Sequence, residues 1–312
     1  MVFDTTDISR ECATALLRSL LGSELSVTGI RRLHGGMINS VLELATDGEP
    51  PLVVAKLSSE PGHGGFEWEH RVLEWYRRNT SFPVPEPYGV DTSGSIFAGS
   101  CLMMERLPGE NLGHARLTAS GRAAVEQQMA RILAELHESR RPTYGSALDP
   151  PEQGHERWLE KFGPQIRSEF NAVADRLSPH ARAVIRTELH RLEQWLPESG
   201  RPTLVHGDLW ATNIIVDPNA PGGPRISGFV DGGCNYADVE YELAYLLVFH
   251  TVGGVFFREY AQFHPLREGF DVRCRLYWLN TMLLHVRVFG DVHYVQASER
   301  LAGELEALRA HW

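Results

Sequence analysis

A chain of 312 residues, 43% of them hydrophobic, is long enough to bury a large core and to divide into two domains. Its formal net charge of -10 argues against a nucleic-acid partner, because a phosphate backbone requires clustered Lys and Arg. The four cysteines form no C-x-x-C pair, which argues against a zinc site or a disulfide framework. Their apolar neighbours suggest buried thiols in a reducing compartment.

The chain also lacks the patterns of targeting and membrane segments. Its first residues are acidic, with no basic segment followed by an apolar run, so no signal peptide is predicted. The apolar stretch 243–257 is interrupted by a histidine and by glycines and is too short to span a bilayer. We therefore expect a cytoplasmic protein with no membrane association and no obligatory protein partner.

The N-terminal part predicts a helix and then strands. Apolar residues at helical spacing predict a helix over 7–21. Three extended runs follow, 25–33, 38–45 and 52–57, and they predict two hairpins of an antiparallel sheet. Gly35 and Gly36 lie between the first two runs, and the N–H groups of such a turn can face phosphate oxygens. Most Gly-Gly pairs, however, only turn a hairpin.

Lys56 ends the third of these runs, so its stem would lie along a strand at the floor of a cleft. A lysine there can reach the α and β phosphates of a nucleotide, whereas the alternative is a strand-end lysine that extends to solvent. On the helix that follows, Glu69 shares the inward stripe with Phe66 and Leu73. Because a charge on an apolar helical face is costly unless it is paired, we expect Glu69 to pair with Lys56.

Two more extended runs, 88–91 and 95–106, complete a sheet of five strands. A proline and a glycine directly after the second run mark a domain boundary. We therefore predict an N-terminal domain over 1–106 and a mainly helical C-terminal domain over 107–312.

The end of the fifth strand, Met104-Glu105-Arg106, lies at this boundary. In a two-lobed kinase the adenine packs on apolar side chains of this connection and hydrogen-bonds its backbone. Ordinary core filling is an equal alternative for the methionine. The second domain shows helical periodicity over most of its length, with a break predicted at Gly163-Pro164. The helical stretches are 123–137, 158–170, 181–196 and 270–308.

The stretch 204–217 carries the chemistry. Apolar runs rich in Val and Ile flank a polar loop that contains Asp208 and Asn213, and Asp231 follows another apolar run at a turn. In phosphoryl transfer a carboxylate accepts the proton of the attacking hydroxyl, while an amide and a second carboxylate hold Mg2+. Each residue alone is more typical of a turn, but the combination and its order match kinases of the protein-kinase architecture.

These residues resemble the fructosamine kinase (ketosamine 3-kinase) family, in the aminoglycoside phosphotransferase and choline kinase group of the protein-kinase-like fold. The resemblance covers nearly the whole chain from about residue 25. It is most specific at the loop 206–213, where a tryptophan follows His-Gly-Asp-Leu. The further matching segments are Gly35-Gly36-x-Ile38-Asn39, Lys56, Phe66-x-x-Glu69-x-x-x-Leu73, Val230-Asp231, Tyr236-x-x-x-Glu240-x-x-Leu243-Ala244, 254–270 and His285-x-x-x-Phe289-Gly290.

The resemblance implies an α+β fold with a small antiparallel sheet in the N-terminal lobe and a larger helical C-terminal lobe. It also implies ATP and Mg2+ as cofactors. The resemblance implies Asp208 as catalytic base and Asn213 and Asp231 as Mg2+ ligands. It implies Lys56 with Glu69 as the phosphate-positioning pair, and Gly35 and Gly36 over the phosphates. It further implies Met104, Glu105 and Arg106 at the adenine, and Trp210 and His285 in the acceptor pocket.

Some residues depart from the family pattern. Gly232-Gly233-Cys234 follows the metal aspartate where the family usually has Pro-Ala, and Leu284 and Arg287 stand where asparagines are usual. Because a pocket built for a polar acceptor rejects a wrong one through unpaired groups, such changes can redirect specificity. Met37 lies near the position of a cysteine that links subunits in some members, so we expect no redox dimer.

The predicted function is ATP-dependent phosphorylation of a hydroxyl on a small molecule, a ketosamine (fructosamine-type) adduct in the first instance. An aminoglycoside-type, macrolide-type or other small-molecule kinase is the first alternative. A non-catalytic nucleotide-binding module is the second, and it is disfavoured because all the expected polar groups are present. The short interval after Asp231 leaves little room for the activation segment of a protein kinase.

Overall fold

The computed structural model describes residues 8–22, 24–33, 40–60, 62, 64–196 and 200–309. The strands are β1 Val27–Arg32, β2 Ser40–Thr46, β3 Leu52–Ser58, β4 Pro87–Asp91, β5 Ser100–Glu105, β6 Glu110–Asn111, β7 Gly145–Ser146, β8 Thr203–Val205, β9 Ile214–Asp217, β10 Arg225–Phe229 and β11 Asn235–Ala237. The α-helices are α1 Arg10–Leu21, α2 Gly64–Asn79, α3 Ala119–Leu136, α4 Trp158–Val173, α5 Pro179–His190, α6 Leu192–Trp195, α7 Val239–Val248, α8 Gly254–Tyr260, α9 Phe270–Phe289 and α10 Val292–Arg309.

The chain contacts define two compact units. The first unit is Met1–Val125 with Ala211–Gly232, and the second is Glu126–Trp210 with Gly233–Trp312. The first unit therefore takes in the whole predicted N-terminal domain and extends past it. The predicted boundary at residue 106 stays a prediction.

A five-stranded antiparallel sheet forms the larger part of the first unit. Its strand order is β1-β2-β3-β5-β4, so the predicted five strands and two hairpins are confirmed. Leu16 and Leu17 of α1 are buried in the same core as Leu44 and Leu57 of the sheet. The side chain of Ser9 caps α1 at its N-terminus by accepting the N–H of Cys12 at 3.2 Å.

The fifth strand starts later than predicted, at Ser100 instead of residue 95. Short-range hydrogen bonds occupy the preceding backbone: the N–H of Ser93 donates to the Asp91 carboxylate at 2.9 Å, and the N–H of Gly99 donates to the Phe97 carbonyl at 2.7 Å. Such local bonds compete with the strand ladder and delay its start.

A second, three-stranded sheet of the first unit has the order β10-β9-β6. Its middle strand β9 begins directly after Asn213, and its neighbour β10 ends two residues before Asp231. Because β9 and β10 run antiparallel, the start of one lies beside the end of the other. At Gly109, before β6, φ is 98° and a Cβ would lie 2.1 Å from the Val216 carbonyl oxygen, so only glycine fits this close approach.

Helices and a short sheet, β7-β11-β8, form the second unit. Its core packs the inner faces of α4 to α7, α9 and α10, with Phe162, Ile166, Leu279 and Leu283 fully buried. The α+β class is thus confirmed. No helix within the described residues is long and apolar enough to cross a bilayer.

One detail of the helical prediction was wrong. The break predicted at Gly163-Pro164 is absent, because α4 runs through Pro164 and buries Trp158, Phe162 and Phe170 along one face. That burial outweighs the lost backbone hydrogen bond. The stretch 270–308 is helical as predicted and consists of two helices, α9 and α10, with Gly290 capping the end of α9 at a φ of 72°.

Candidate active site

Lys56 and Glu69 form the ion pair expected from their positions in the sequence. The Lys56 ammonium on β3 lies 2.5 Å from the Glu69 carboxylate on α2, and it also contacts the Asp231 carboxylate after β10. Only 11% of the Lys56 side chain is exposed, against 41% of the Asp231 side chain. The Glu69 and Asp231 carboxylates therefore share one ammonium, which is more deeply buried than the Asp231 side chain.

The cluster keeps Lys56 charged. Burial alone would lower the pKa of Lys56, but the charges of Asp231 and Glu69, and the hydrogen bonds to them, raise it above its ordinary value. Burial raises the pKa of Glu69, and the nearby Lys56 charge opposes that effect. The ammonium is thus a fixed positive charge at neutral pH.

A pocket of about 320 Å³ lies in the first unit beside this cluster. Its size is within the range of ligand sites. Its lining combines apolar and polar side chains. The apolar lining residues are Leu33, Val41, Val54, Met104, Leu107, Ile215 and Val230, and the polar ones include Lys56, Asn213 and Asp231.

Glu105 and Arg106, which were predicted at the adenine, also line this pocket. Arg106 is held in place: its Nε donates to the Glu43 carboxylate at 2.7 Å, and its Nη2 donates to the Gly109 carbonyl at 2.8 Å. Burial opposes a lowered pKa at Glu43, but hydrogen bonds and charges from Arg31 and Arg106 lower it overall. The predicted residues Gly35 and Gly36 lie outside the described residues.

Asn213 and Asp231 lie side by side in the first unit. The N–H of Val230 donates to the Asn213 carbonyl at 3.0 Å, which joins the end of β10 to the start of β9. Asp231 has a φ of 61°, a left-handed backbone conformation that is uncommon outside glycine. Residues in such conformations are found most often at functional sites.

In the second unit, Asp208 lies on the loop after β8. Gly207 adopts a φ of 87°, so the loop needs a glycine directly before the aspartate. The N–H of Asp208 donates to Nδ1 of the buried His206 at 3.3 Å, and the His206 carbonyl accepts from the N–H of Gly233 at 2.6 Å. The loop is therefore fixed by its own histidine and by the chain that follows Asp231.

A buried chain of polar side chains holds the same loop from α7. The Glu242 carboxylate accepts the N–H of Gly207 at 2.6 Å and contacts Nε2 of His137 at 3.0 Å. Nδ1 of His137 lies 2.7 Å from the hydroxyl of Tyr260. One turn along α7 from Glu242, the hydroxyl of Tyr245 donates to the Asp208 carboxylate at 2.5 Å.

Trp210 and His285, predicted in the acceptor pocket, both contact Phe249. The ring centroids of Trp210 and Phe249 are 6.3 Å apart, and those of Phe249 and His285 are 5.4 Å apart. His285 also packs on Tyr294 at 4.9 Å. Burial lowers the pKa of His285, although its hydrogen bond to the Thr281 carbonyl and the charge of Asp208 act in the other direction. We call the set Trp210, Tyr245, Phe249, His285, Phe289 and Tyr294 the aromatic cluster.

The residues that depart from the family pattern have ordinary partners here. The guanidinium of Arg287 forms two hydrogen bonds with the Glu169 carboxylate, at 2.6 and 3.0 Å. Leu284 is half-buried on α9. Cys101, Cys234 and Cys274 are buried thiols as expected, whereas Cys12 is only half-buried.

Sequence reasoning missed Glu242 and Tyr245. The signal for Glu242 is the one that identified Glu69, a carboxylate in a helix of otherwise apolar residues, which requires a partner when buried. Tyr245 gives no such signal, because a tyrosine fits an apolar helix face without any special partner.

The fold is that of the kinase-like phosphotransferases. A model of the phosphotransferase enzyme family matches residues 29–273, and the chain belongs to that family. The chloroplastic protein-ribulosamine 3-kinase of Oryza sativa subsp. japonica is 27% identical over 307 residues, which cover 93% of this chain and 82% of that protein.

Solved structures show the same fold. A candidate fructosamine-3-kinase from Haemophilus somnus matches with a TM-score of 0.74 and 19% identity, over 94% of this chain and 96% of the other. The aminoglycoside phosphotransferase APH(4)-Ia matches with a TM-score of 0.65 and 18% identity, over 95% and 98%. The predicted kinase-like fold and the predicted family group are confirmed.

Proposed function

We propose that this phosphotransferase moves the γ-phosphate of ATP to a hydroxyl of a ketosamine, an adduct of a sugar and an amine, with the help of Mg2+. One observation carries the proposal. One pocket of the first unit is lined both by apolar side chains that suit adenine and by Lys56, Asn213 and Asp231. The names of the relatives support the acceptor class, since ribulosamines and fructosamines are both ketosamines.

In this proposal the backbone of Met104-Glu105-Arg106 binds adenine, and Met104 packs on the base. Lys56 binds the α and β phosphates and is oriented by Glu69, which lies 2.5 Å from it. For Gly35 and Gly36 the proposal keeps the role that the resemblance implies, over the phosphates. A buried ammonium beside a nucleotide supplies charge where the phosphates require it.

Asn213 and Asp231 are the proposed Mg2+ ligands. Mg2+ prefers oxygen ligands, and it binds through one or two side chains while phosphates and water complete its shell. An amide and a carboxylate in the lining of the pocket fit that preference. When bound, Mg2+ neutralises charge on the phosphates.

Asp208 is the proposed base. The acceptor oxygen forms a bond to the γ-phosphorus while the bond from that phosphorus to the bridging oxygen breaks, and ADP leaves with the electron pair. The hydroxyl proton passes to the Asp208 carboxylate. The loop bonds to His206 and Glu242 keep this carboxylate in one place, which reduces the entropy lost in reaching the transition state.

The aromatic cluster is the proposed acceptor surface. Trp210 lies two residues after the base, and the charge of Asp208 influences the pKa of His285. Aromatic faces bind the C–H groups of a sugar ring and attract a protonated amine. A ketosamine presents both.

An ADP-release assay with a panel of acceptors tests the proposal. We expect Mg2+-dependent turnover with ribulosamine and fructosamine adducts of lysine, a product with one added phosphoryl group by mass spectrometry, and turnover lower by about 100-fold or more in Asp208→Asn. Little turnover on ketosamines with strong turnover on an aminoglycoside or a macrolide would assign the acceptor to the alternative class. ADP release close to the wild-type rate in Asp208→Asn would refute the role of the base.

A further inference from the structure

Helix α7 holds two successive residues of the catalytic loop. Glu242 accepts the N–H of Gly207 at 2.6 Å, and Tyr245 donates its hydroxyl to Oδ1 of Asp208 at 2.5 Å. Side chains three positions apart on a helix lie on the same face. One face of α7 therefore fixes both the backbone before the aspartate and the carboxylate itself.

The two contacts differ in kind. Glu242 is 1% exposed and bonds to a backbone N–H, so its contact sets the path of the loop. Tyr245 is half-buried, its ring packs edge-on against Phe249 at 4.9 Å, and its hydroxyl bonds to the side chain that is proposed to take the proton. Its contact can therefore act on the reacting group without changing the loop.

A hydrogen bond to a charged carboxylate is about twice as strong as one between neutral groups, and it is directional. Two rotatable bonds separate the Asp208 carboxylate from the backbone. A donor at 2.5 Å restricts that rotation. It also stabilises the ionised form of the carboxylate.

We infer that Tyr245 is a positioning residue for phosphoryl transfer, which orients the Asp208 carboxylate toward the acceptor hydroxyl through this hydrogen bond. The inference rests on the proposed role of Asp208 as the base. It assigns a function to a hydroxyl that neither the sequence motif nor the nucleotide pocket requires.

Tyr245 remains a donor through the neutral pH range. Burial, and then the charge of Asp208 and the hydrogen bond to it, raise the pKa of Tyr245 above its ordinary value. The charge of Asp208 also reaches Tyr241, whose pKa is raised chiefly by burial, and His285. Tyr245 differs from both because the structure shows its direct hydrogen bond to the carboxylate.

The variant Tyr245→Phe tests the inference, because it keeps the ring against Phe249 and removes only the hydroxyl. The matched control is Tyr241→Phe on the same helix, where the lost hydroxyl accepts from Gln165 and Asn280, both at 3.4 Å. In Tyr245→Phe we expect kcat to fall about 10- to 100-fold with the acceptor KM and the ATP Kd within about twofold of wild type. In Tyr241→Phe we expect a change in the melting temperature, but not the selective loss of kcat that we expect for Tyr245→Phe.

A titration of the Asp208 carboxyl carbon by NMR gives a second readout that needs no turnover. Labelled aspartate is used, and the Asp208 signal is assigned by its loss in Asp208→Asn. We expect the midpoint to rise by about one to two pH units in Tyr245→Phe, because the ionised carboxylate loses its donor, and to stay unchanged in Tyr241→Phe.

The two measurements separate this inference from the proposed function. If no acceptor supports turnover, the proposed function fails, but the NMR midpoint still decides whether Tyr245 acts on the carboxylate. An unchanged midpoint together with an unchanged kcat overturns the inference while the kinase assignment stands. Equal losses of kcat in Tyr245→Phe and Tyr241→Phe also overturn it, since they would reflect a general effect of a lost hydroxyl on α7.

Discussion

The proposed nucleotide pocket of the first unit and the proposed catalytic loop of the second unit hold their functional groups in different ways. In the pocket, Lys56 is held by two opposite charges, Glu69 and Asp231. In the loop, Asp208 is held by a neutral hydroxyl from Tyr245, and its neighbour Gly207 is held by Glu242. One site depends on charge balance, and the other depends on directional hydrogen bonds.

This difference has consequences for what each site controls. Charges act over several ångströms and tolerate small displacements, so they suit the binding of a charged ligand. Hydrogen bonds lose strength steeply with angle, so they suit the orientation of a group that must face one reacting atom. Substitutions in the pocket should therefore change affinity and stability, whereas substitutions in the loop should change kcat.

The largest expected effect tests the loop. Asp208→Asn removes the proton acceptor but keeps an oxygen for the hydroxyl of Tyr245, so we expect kcat to fall by about 100-fold to 10,000-fold with little change in ATP affinity. ADP release and calorimetric titration with ATP measure the two quantities. A large loss of ATP affinity would mean that the loop also governs binding and would remove the distinction between the two sites.

A second variant tests the pocket. Asp231→Asn should weaken the binding of ATP in Mg2+ by roughly tenfold or more and affect its binding without Mg2+ much less, because the proposed metal ligand loses its charge. The control is Asp217→Asn on β9. The side-chain hydrogen bond that the structure shows for the Asp217 carboxylate is a local one, accepted from the N–H of Asn219 at 2.9 Å. Equal ATP affinity for Asp231→Asn and wild type across a series of Mg2+ concentrations would contradict the metal role.

The ammonium of the pocket should affect both affinity and stability. Lys56→Met keeps the length of the side chain but leaves Glu69 in a largely buried position without its cation. We expect weaker ATP binding and a free energy of unfolding lower by about 1–3 kcal/mol. Adding Glu69→Gln should restore part of the stability, which a double-mutant cycle in urea measures. The control is Lys161→Met, at the chain's other lysine, which should change neither the ATP affinity nor the free energy of unfolding.

The pH dependence of this effect has a definite sign. The folded-state pKa of Lys56 is raised above its ordinary value of 10.5, so the stabilisation is fully present below that pH and is lost only as the pH rises through the folded-state pKa. The stability difference between wild type and Lys56→Met should therefore be constant from about pH 7 to pH 9. A difference that shrinks over this range would show that the ammonium loses its proton earlier.

The same contrast explains what the sequence could predict. The pair of Lys56 and Glu69 was predictable, because a charge on an apolar stripe of a helix has few ways to be stable. The five strands were predictable from alternating runs separated by turn residues. The later start of β5 was not, since it depends on hydrogen bonds of Asp91 and Phe97 that only the folded backbone reveals.

Tertiary packing decides the features that sequence reasoning missed. A proline normally interrupts a helix, but α4 passes through Pro164 because its buried aromatic face stabilises the continuous form. Tyr245 carries no charge that would demand a partner, and its contact with Asp208 joins residues 37 positions apart. Such a contact depends on how α7 lies against the loop, which local patterns do not encode.

The smallest expected effect tests the support behind the loop. Glu242→Gln keeps one oxygen for the N–H of Gly207 but replaces a charged acceptor by a neutral one beside His137. We expect the free energy of unfolding to fall by about 1–2 kcal/mol and kcat to fall less than in Tyr245→Phe. Glu304→Gln is the control, because its ion pair with Arg275 is at the surface and contributes little. If Glu242→Gln lowered kcat more than Tyr245→Phe, the path of the loop would matter more than the orientation of the carboxylate.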